Sequence, residues 1–136
     1  MIIAIKTAIR DGIIHIVFSG MITYEEIIEQ IDFMFTLKDK MENRYMFHDH
    51  THTERIDVSA DDISHIAVYS KKLKDIFNRS FVAVYAPEDL SFGTARMFEL
   101  LFELEKHPVS AEIFRDKEAA MQFLKEKMAK YGQHPE

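Results

Sequence analysis

The segment at residues 81–99, FVAVYAPEDLSFGTARMFE, joins an apolar run to a polar turn and then to the start of an apolar helical pattern. The run from Phe81 to Tyr85 carries no charge, as expected for a strand buried on both faces. The proline and acidic residues that follow it are a turn signal. Gly93 and Arg96 fall in the first turns of the helical pattern. A strand, a turn and a helix in this order are typical of a ligand-facing corner of an α/β domain.

The amino-terminal part of the chain predicts a β-hairpin. Two β-rich runs, at residues 2–9 and 13–18, are joined by Asp11-Gly12, and both residues of this turn tolerate positive φ. Ser19-Gly20 is predicted to break the second strand.

Two helices and a strand are predicted in the middle of the chain. Thr23 to Glu26 is a capping-box pattern, and the helix that it opens is predicted to end near Lys38. Residues 44–49 are the next predicted strand. Ser59 to Asp62 is a second cap signal, which opens a helix that extends toward Leu73.

The carboxyl-terminal part predicts a helix at 91–106, a strand at 109–114 and a helix that begins after Asp116 and ends at Tyr131-Gly132. The resulting order is ββαβαβαβα. Strands separated by helices favour parallel pairing through right-handed crossovers. The prediction is therefore an α/β fold with a mixed, mostly parallel five-stranded sheet and four helices.

Length and composition indicate a single domain. The 136 residues, with 47% hydrophobic and 29% charged side chains, are those of an ordinary globular protein. We expect one domain over residues 1–132 and a frayed tail at 133–136. The absence of cysteine excludes disulfides and thiolate chemistry. It also fits a cytoplasmic location.

The charge and hydropathy exclude several classes of partner. A net charge of −6 argues against binding nucleic acid or an anionic membrane by bulk electrostatics. No apolar run approaches the ~18 residues of a membrane span, and we expect no signal peptide.

Several segments together resemble the STAS/SpoIIAA-like domains, in particular the small bacterial single-domain group. The resemblance covers nearly the whole chain, and the segment at 86–98 is its most specific part. The others are Ser19 to Thr23 before a capped helix, Asp49 near the end of the middle strand, Val58 to Ile63, and the closing Ile113 to Asp116 with Glu118 to Ala120 and Phe123-Leu124.

This resemblance implies a regulatory or ligand-binding module without enzymatic activity and without a cofactor. The broader superfamily resembles lipid-binding folds with an apolar pocket. Anti-sigma-factor antagonists of the superfamily carry a phosphorylatable serine at the start of the helix after the middle strand, and Ser59 occupies that kind of place. Its surroundings here are Asp57-Val58-Ser59-Ala60 rather than the usual Asp-Ser-Ser-Gly type. The alternative for Ser59 is a helix N-cap.

The segment His48-Asp49-His50-Thr51-His52 is the most unusual local cluster. In an extended strand His48, His50 and His52 share one face, because side chains alternate. Imidazoles at that spacing can bind zinc, copper or nickel, and they are the basis of an alternative prediction, a metal-dependent enzyme. The other interpretation places them at the polar end of a strand and in the loop after it.

Four residues are the predicted ligand contacts: Arg96, Gly93, Asp49 and Phe92. Arg96 can hold a carboxylate or phosphate in bidentate geometry, or it can be a structural arginine bonded to Asp49, Asp89 or backbone carbonyls. Gly93 permits close approach of a ligand or of the sheet. Nothing in the sequence forms a phosphate-binding loop.

The apolar side chains point to association. The chain contains eleven Phe and eight Met, and the predicted helix at 91–106 is apolar on more than one face. We predict a module that binds a small apolar or amphipathic ligand, or a regulatory protein partner, as a homodimer.

Overall fold

The computed structural model describes residues 5–37, 43–71, 79–89, 92–93, 96 and 110–132. The predicted tail at 133–136 lies outside these residues. In chain order the described elements are β1 (Ile5–Arg10), β2 (Ile13–Thr23), α1 (Tyr24–Phe35), β3 (Asn43–Asp57), α2 (Ala60–Ser70), β4 (Arg79–Tyr85), β5 (Ser110–Phe114) and α3 (Lys117–Tyr131).

The five strands form one sheet in the order β1-β2-β3-β4-β5. β1 and β2 are antiparallel, and all other neighbours are parallel. The mixed, mostly parallel sheet predicted from the sequence is therefore confirmed. So is the hairpin, since Asp11 and Gly12 have φ values of 53° and 78°. Positive φ at both turn residues matches the right-handed twist of the two strands.

Within the described residues there are three helices rather than the four predicted. The predicted helix at 91–106 lies mostly outside them, although Phe92, Gly93 and Arg96 have helical backbone. α1 ends at Phe35 and not near Lys38, because Thr36 caps it. α2 ends at Ser70, and Leu73 lies outside the described residues.

Two strands are longer than predicted. β2 continues through Ser19-Gly20 to Thr23, so the predicted strand break is wrong. β3 continues past Asp49 to Asp57. The two strands pair with each other along this extension, and two shifts of register accommodate the irregular sequence. Gly20 lies at the second shift with a φ of 70°, a backbone conformation that glycine adopts without cost.

Each face of the sheet carries its own core. The core on one face consists of the strand residues Ile14, Ile16, Phe18, Ile22, Met46 and Val82, with Met34 of α1 and Leu37 just after it. The core on the other face consists of the strand residues Ile13, Tyr45, Phe47, Phe81 and Ala83, with Ala120 and Leu124 of α3. Strand residues alternate between these two sets, which is the expected result of a sheet with helices on both faces.

The ends of the helices follow the predicted cap residues. The Thr23 and Ser59 hydroxyls each accept a hydrogen bond from the backbone of the third residue of their helix, Glu26 and Asp62, whose carboxylates bond back. Asp116 accepts from the Ala119 amide at the start of α3. At the other end of α3, the Tyr45 hydroxyl donates to the Gly132 carbonyl at 2.7 Å, which fixes the helix to the start of β3.

Substitution of Ser59 by alanine is expected to lower the free energy of unfolding by about 1 kcal/mol, the usual contribution of an N-cap. The Asp62 amide would lose its acceptor, which now lies at 3.0 Å. Urea unfolding measures the effect. Ser64→Ala, in the interior of the same helix, is the control and is expected to be neutral or slightly stabilising. Equal stability of the two variants would contradict a capping role.

Candidate functional site

Polar and charged side chains enter the apolar layer between the sheet and α1. Met46 of β3 belongs to the core beneath α1. Residues at even spacing share a face of a strand, so Arg44, His48 and His50 project into the same layer. Arg44 and His50 are buried, with 4% and 6% of their surface exposed. Burying three basic or imidazole side chains in an apolar layer is costly. This part of the sheet is therefore the candidate functional site.

A bulge in β3 fixes the position of His50. Val17 pairs with Asp49, but Ser19 pairs with His52, so β3 contains one extra residue at this point. The carboxylate of Asp49 accepts hydrogen bonds from the Thr51 amide at 2.9 Å and from its hydroxyl at 2.5 Å. The predicted ligand contact Asp49 therefore bonds within the bulge.

The same bulge brings His50 and Thr53 together, although they are three residues apart. Nδ1 of His50 lies 3.0 Å from Oγ1 of Thr53, and this hydroxyl donates to the Phe18 carbonyl at 3.4 Å. Because the hydroxyl proton goes to Phe18, Nδ1 of neutral His50 is assigned as the donor.

The bulge also separates His52 from the other two histidines. His52 is exposed, and it pairs with Ser19, which is out of phase with Ile16, the partner of His48. The prediction that His48, His50 and His52 share one face is therefore wrong. In the part of the chain that the structure describes, no group of three or more His, Asp or Glu side chains is placed to hold a metal ion.

Aromatic contacts hold the two remaining imidazoles. The Phe18 ring stacks on His50, with centroids 4.3 Å apart and an angle of 10°. Its centroid lies 5.3 Å from that of His48 at a tilt of 57°. The Nε2 atom of His48 is inaccessible to solvent and has no hydrogen-bond partner among the described residues. We call Phe18, Arg44, His48, His50 and Thr53 the imidazole site.

Burial keeps both imidazoles neutral. The pKa of His48 is lowered to about 3, chiefly by burial and to a smaller extent by electrostatic interaction with His50 and Arg44. Burial also lowers the pKa of His50 to about 4, with partial compensation from the Asp49 carboxylate. Loss of hydration lowers the pKa of Arg44 to about 10, so the guanidinium remains charged at neutral pH. At neutral pH the guanidinium of Arg44 is therefore charged and the two imidazoles are neutral.

The two imidazoles are poorly suited to act as general bases at neutral pH. A general base works best when its pKa lies near the operating pH. An imidazole with a pKa of about 3 is a poor proton acceptor at pH 7. Its nitrogen is still a competent hydrogen-bonding group, and a buried nitrogen without a partner is costly.

The corner after β4, where the sequence predicts ligand contacts, is held by Arg115. The Ala86 amide donates to the Phe114 carbonyl at 2.9 Å, which extends the pairing of β4 with β5. Arg115 pairs with Asp89 at 2.7 Å, and its guanidinium lies 4.2 Å from the centroid of Phe92. Phe92 thus packs against a cation of its own chain.

Gly93 and Arg96 are exposed. A Cβ added to Gly93 would meet no atom within 4 Å, so close packing does not require glycine there. The four predicted ligand contacts are therefore not assembled by the described residues into one pocket. Ser59, the predicted regulatory residue, is an exposed N-cap.

Sequence reasoning missed Phe18, Arg44 and Thr53. The position of Arg44 could have been predicted, because it lies at even spacing from Met46 and His48 on the predicted strand and so shares their face. Thr53 has none, since its place depends on the bulge.

A solved structure shares the overall arrangement of strands and helices of this chain. It is the crystal structure of an uncharacterised protein of the DUF3478 family from Shewanella loihica PV-4, described as having a SpoIIAA-like fold. The two chains are 19% identical, the similarity covers 89% of this chain and 92% of that one, and the TM-score is 0.54. The chain has a SpoIIAA-like fold. The fold expected from the STAS/SpoIIAA-like resemblance is thereby confirmed.

The other comparisons of this chain with known proteins found no match. No family model matches it, and no curated protein matches it significantly. In the described part of the chain, no helix is both long and apolar enough to cross a membrane.

Proposed function

We propose that this SpoIIAA-like chain is a non-enzymatic ligand-binding or regulatory module that takes a small amphipathic molecule between the sheet and α1. The observation that carries the proposal is the buried Nε2 of His48, which has no hydrogen-bond partner among the described residues. A bound molecule would supply that partner and remove the cost of the unsatisfied group.

The surroundings of His48 favour an amphipathic molecule over a purely polar one. Phe18, Ile16 and Ile22 are buried in the same layer, with Val84 and Ile27 packed against them. An apolar segment can extend along these side chains while its polar end reaches the imidazole. The low pKa of His48 further supports a binding role and not acid–base catalysis.

Native mass spectrometry of freshly purified protein tests this proposal. We expect a retained small molecule that is lost after denaturation and refolding. The same measurement reports the oligomeric state. A chain that carries no molecule, and that binds none from a panel of amphipathic compounds, would overturn the proposal.

We further propose that the module is a homodimer, as the sequence predicts. Support comes from α1 and α2, whose contact includes a hydrogen bond from the Tyr69 hydroxyl to Asp32. Phe33 and Val68, the neighbours of these two residues, are 39% and 58% exposed. Large apolar side chains on adjacent helices are typical of surfaces that pair with a partner.

Substitution of both Phe33 and Val68 by serine is expected to weaken the dimer by tenfold or more, because each large apolar side chain contributes about 1.5–3 kcal/mol when fully buried. Light scattering after size exclusion, over a range of concentrations, measures the change. Ile9→Ser, which alters an exposed apolar residue on the edge strand β1, is the control. A monomeric wild-type chain, or a double variant that dimerises as well as the wild type, would contradict this surface.

A further inference from the structure

We propose that the carboxyl-terminal end of α3 is a docking surface for an acidic segment of a partner protein. Its charged groups are Arg79, at the start of β4, and Lys127 and Lys130 of α3. We call these three cations the basic cluster. The basic cluster lies on the face of the sheet that packs against α3, whereas the imidazole site lies on the face that packs against α1. The inference is therefore independent of the ligand proposed above.

Two stacked aromatic rings bring the three cations together. The Tyr131 ring lies on Phe81, with centroids 5.3 Å apart and an angle of 19°. The guanidinium carbon of Arg79 is 4.3 Å from the Tyr131 centroid, and the ammonium nitrogen of Lys130 is 5.3 Å from it. The ammonium nitrogen of Lys127 is 5.6 Å from the Phe81 centroid. Three positive charges thus lie around one pair of rings.

The rings also restrain the cations before a partner binds. Phe81 is 7% exposed and belongs to the core, where the Tyr45 ring stacks on it with centroids 5.6 Å apart. A long side chain that already lies against a fixed ring has less rotamer freedom to lose on binding. Contact with a ring uses the charge of the cation but not its N–H donors, which remain able to bond a carboxylate.

The basic cluster has no acidic partner within the described part of the chain. None of its three members forms an ion pair with a carboxylate there. Glu126 is next to Lys127 in sequence, but its carboxylate accepts a hydrogen bond from Gln122 at 3.1 Å. Because no carboxylate of these residues is paired with the cluster, its positive charge is available to a negative partner.

The two faces of the sheet carry helices of opposite charge. α3 contains four lysines and two glutamates. α1, on the other face, contains three glutamates and one aspartate but no lysine or arginine. The chain as a whole has a net charge of −6, so the positive charge of the basic cluster is a local feature. A local patch of one sign attracts partners of the opposite sign.

These features favour an acidic protein segment over nucleic acid or an anionic membrane. A duplex or a bilayer is larger than the basic cluster and would also meet the negative charge of the rest of the chain. Nucleotide bases bind by stacking on aromatic rings, and Tyr131 and Phe81 already contact each other and the cations. A short segment with a few carboxylates can contact the three cations alone.

Fluorescence anisotropy with a labelled hexaglutamate peptide tests this surface on the 136-residue chain. We expect binding at an ionic strength of about 0.1 M that weakens as salt is added, because exposed charges are screened. Hexaglutamine has the same length without the charge and should not bind. The triple variant Arg79→Gln, Lys127→Gln, Lys130→Gln is expected to bind hexaglutamate roughly tenfold more weakly, the combined effect of three exposed charge pairs.

A matched triple variant separates the basic cluster from the total charge. Lys6→Gln, Arg10→Gln, Lys125→Gln removes three exposed cations outside the cluster. It should change the affinity for hexaglutamate by less than about twofold, since charges farther away than a Debye length are largely screened.

Nuclear magnetic resonance of the wild type covers the case in which a triple variant does not fold. Hexaglutamate should shift the amide resonances of residues 127–132 and the side-chain resonances of Arg79. The resonances of β1 should not move.

Each contrary outcome overturns a stated part of the inference. Absence of hexaglutamate binding, equal binding of hexaglutamine, or equal losses in the two triple variants would overturn the docking surface. Shifts that lie mainly outside α3 and Arg79 would do the same. Tighter binding of a single-stranded oligonucleotide or of phosphatidylserine vesicles, lost in the cluster variant, would overturn the choice of a protein partner. All of these results would leave the proposed function standing, because its ligand binds on the other face of the sheet.

Discussion

Acidification from pH 7 to pH 4 is expected to destabilise the fold by roughly 3 kcal/mol for each of the two buried imidazoles. The pKa of His48 is about 3 and that of His50 about 4 in the folded chain, against an ordinary value of about 6.5 in the unfolded chain. Below pH 6.5 the two histidines become protonated in the unfolded chain but remain neutral in the folded chain. The stabilisation that depends on neutral imidazoles is therefore complete above pH 6.5. It is lost as the pH falls toward the folded-state pKa values of the two histidines.

The expected loss is comparable to the whole stability of a domain, about 5–15 kcal/mol. Urea unfolding at half-unit steps between pH 7 and pH 4 measures it. The control is a variant with both His48 and His50 replaced by phenylalanine, in which the slope of unfolding free energy against pH should flatten. Because the two proteins differ only at these two positions, the difference between their curves reports the contribution of the imidazoles. Parallel curves would show that the imidazoles are not buried in neutral form.

The charged residues near the two rings act on them in opposite directions. Arg44 lies on the same face of β3, and its positive charge opposes protonation of His48. The Asp49 carboxylate acts in the other direction on His50. This carboxylate, however, also accepts a hydrogen bond from the Thr51 amide within the bulge. Acid unfolding that begins in this layer would release α1, because the same layer holds Met34 and Leu37.

Local signals in the sequence predicted most of the fold. Asp11-Gly12 determines a turn by its tolerance of positive φ, and the structure has positive φ at both residues. The Thr23 and Ser59 capping patterns each satisfy amides within a few residues, so no distant contact is needed to identify them. The parallel order of the strands followed from the helices between them.

The site depends on pairing between distant segments, which explains why sequence reasoning misplaced it. Simple alternation puts His48, His50 and His52 on one face. The extra residue of β3 opposite Val17 and Ser19 breaks this alternation. The extra residue is defined only against the partner strand, about thirty positions earlier, so no local pattern reveals it. The same pairing with β3 also extends β2 through Ser19-Gly20. These two residues are a local signal for a strand break, and the long-range pairing overrides that signal.

The corner after β4 is the part of the predicted site that stays a prediction. Glycine, arginine and a polar turn in one segment suggested a ligand site at Gly93 and Arg96. In the structure, Arg115 bonds Asp89 and covers Phe92. Arg115, which follows β5, thus makes the contact with Phe92 that was expected from a ligand. Asp89 and Phe92 belong to the segment most typical of the family, and through Arg115 they join the end of β4 to the end of β5.

Leu124→Ala is expected to lower the free energy of unfolding by about 2–5 kcal/mol, the range for a buried leucine replaced by alanine. Leu124 has no exposed surface, and it packs in the core that joins α3 to the sheet. Truncation leaves a cavity between the helix and Tyr45, Phe47 and Phe81. These rings are stacked in pairs with their neighbours, Tyr45 on Phe81 and Phe47 on Tyr85, which limits how far they can move to fill it.

Two further variants of the same helix separate the loss of packing from the small change in helix propensity. Lys125→Ala changes the adjacent exposed residue, and we expect a change of at most about 0.5 kcal/mol. Leu124→Met keeps most of the volume and should cost less than about 1.5 kcal/mol. Urea unfolding ranks the three. If Leu124→Ala were as stable as Lys125→Ala, α3 would not be packed on the sheet as described. The hydrogen bonds from Tyr45 and Asn43 of β3 to the Gly132 carbonyl would then be left to attach the helix.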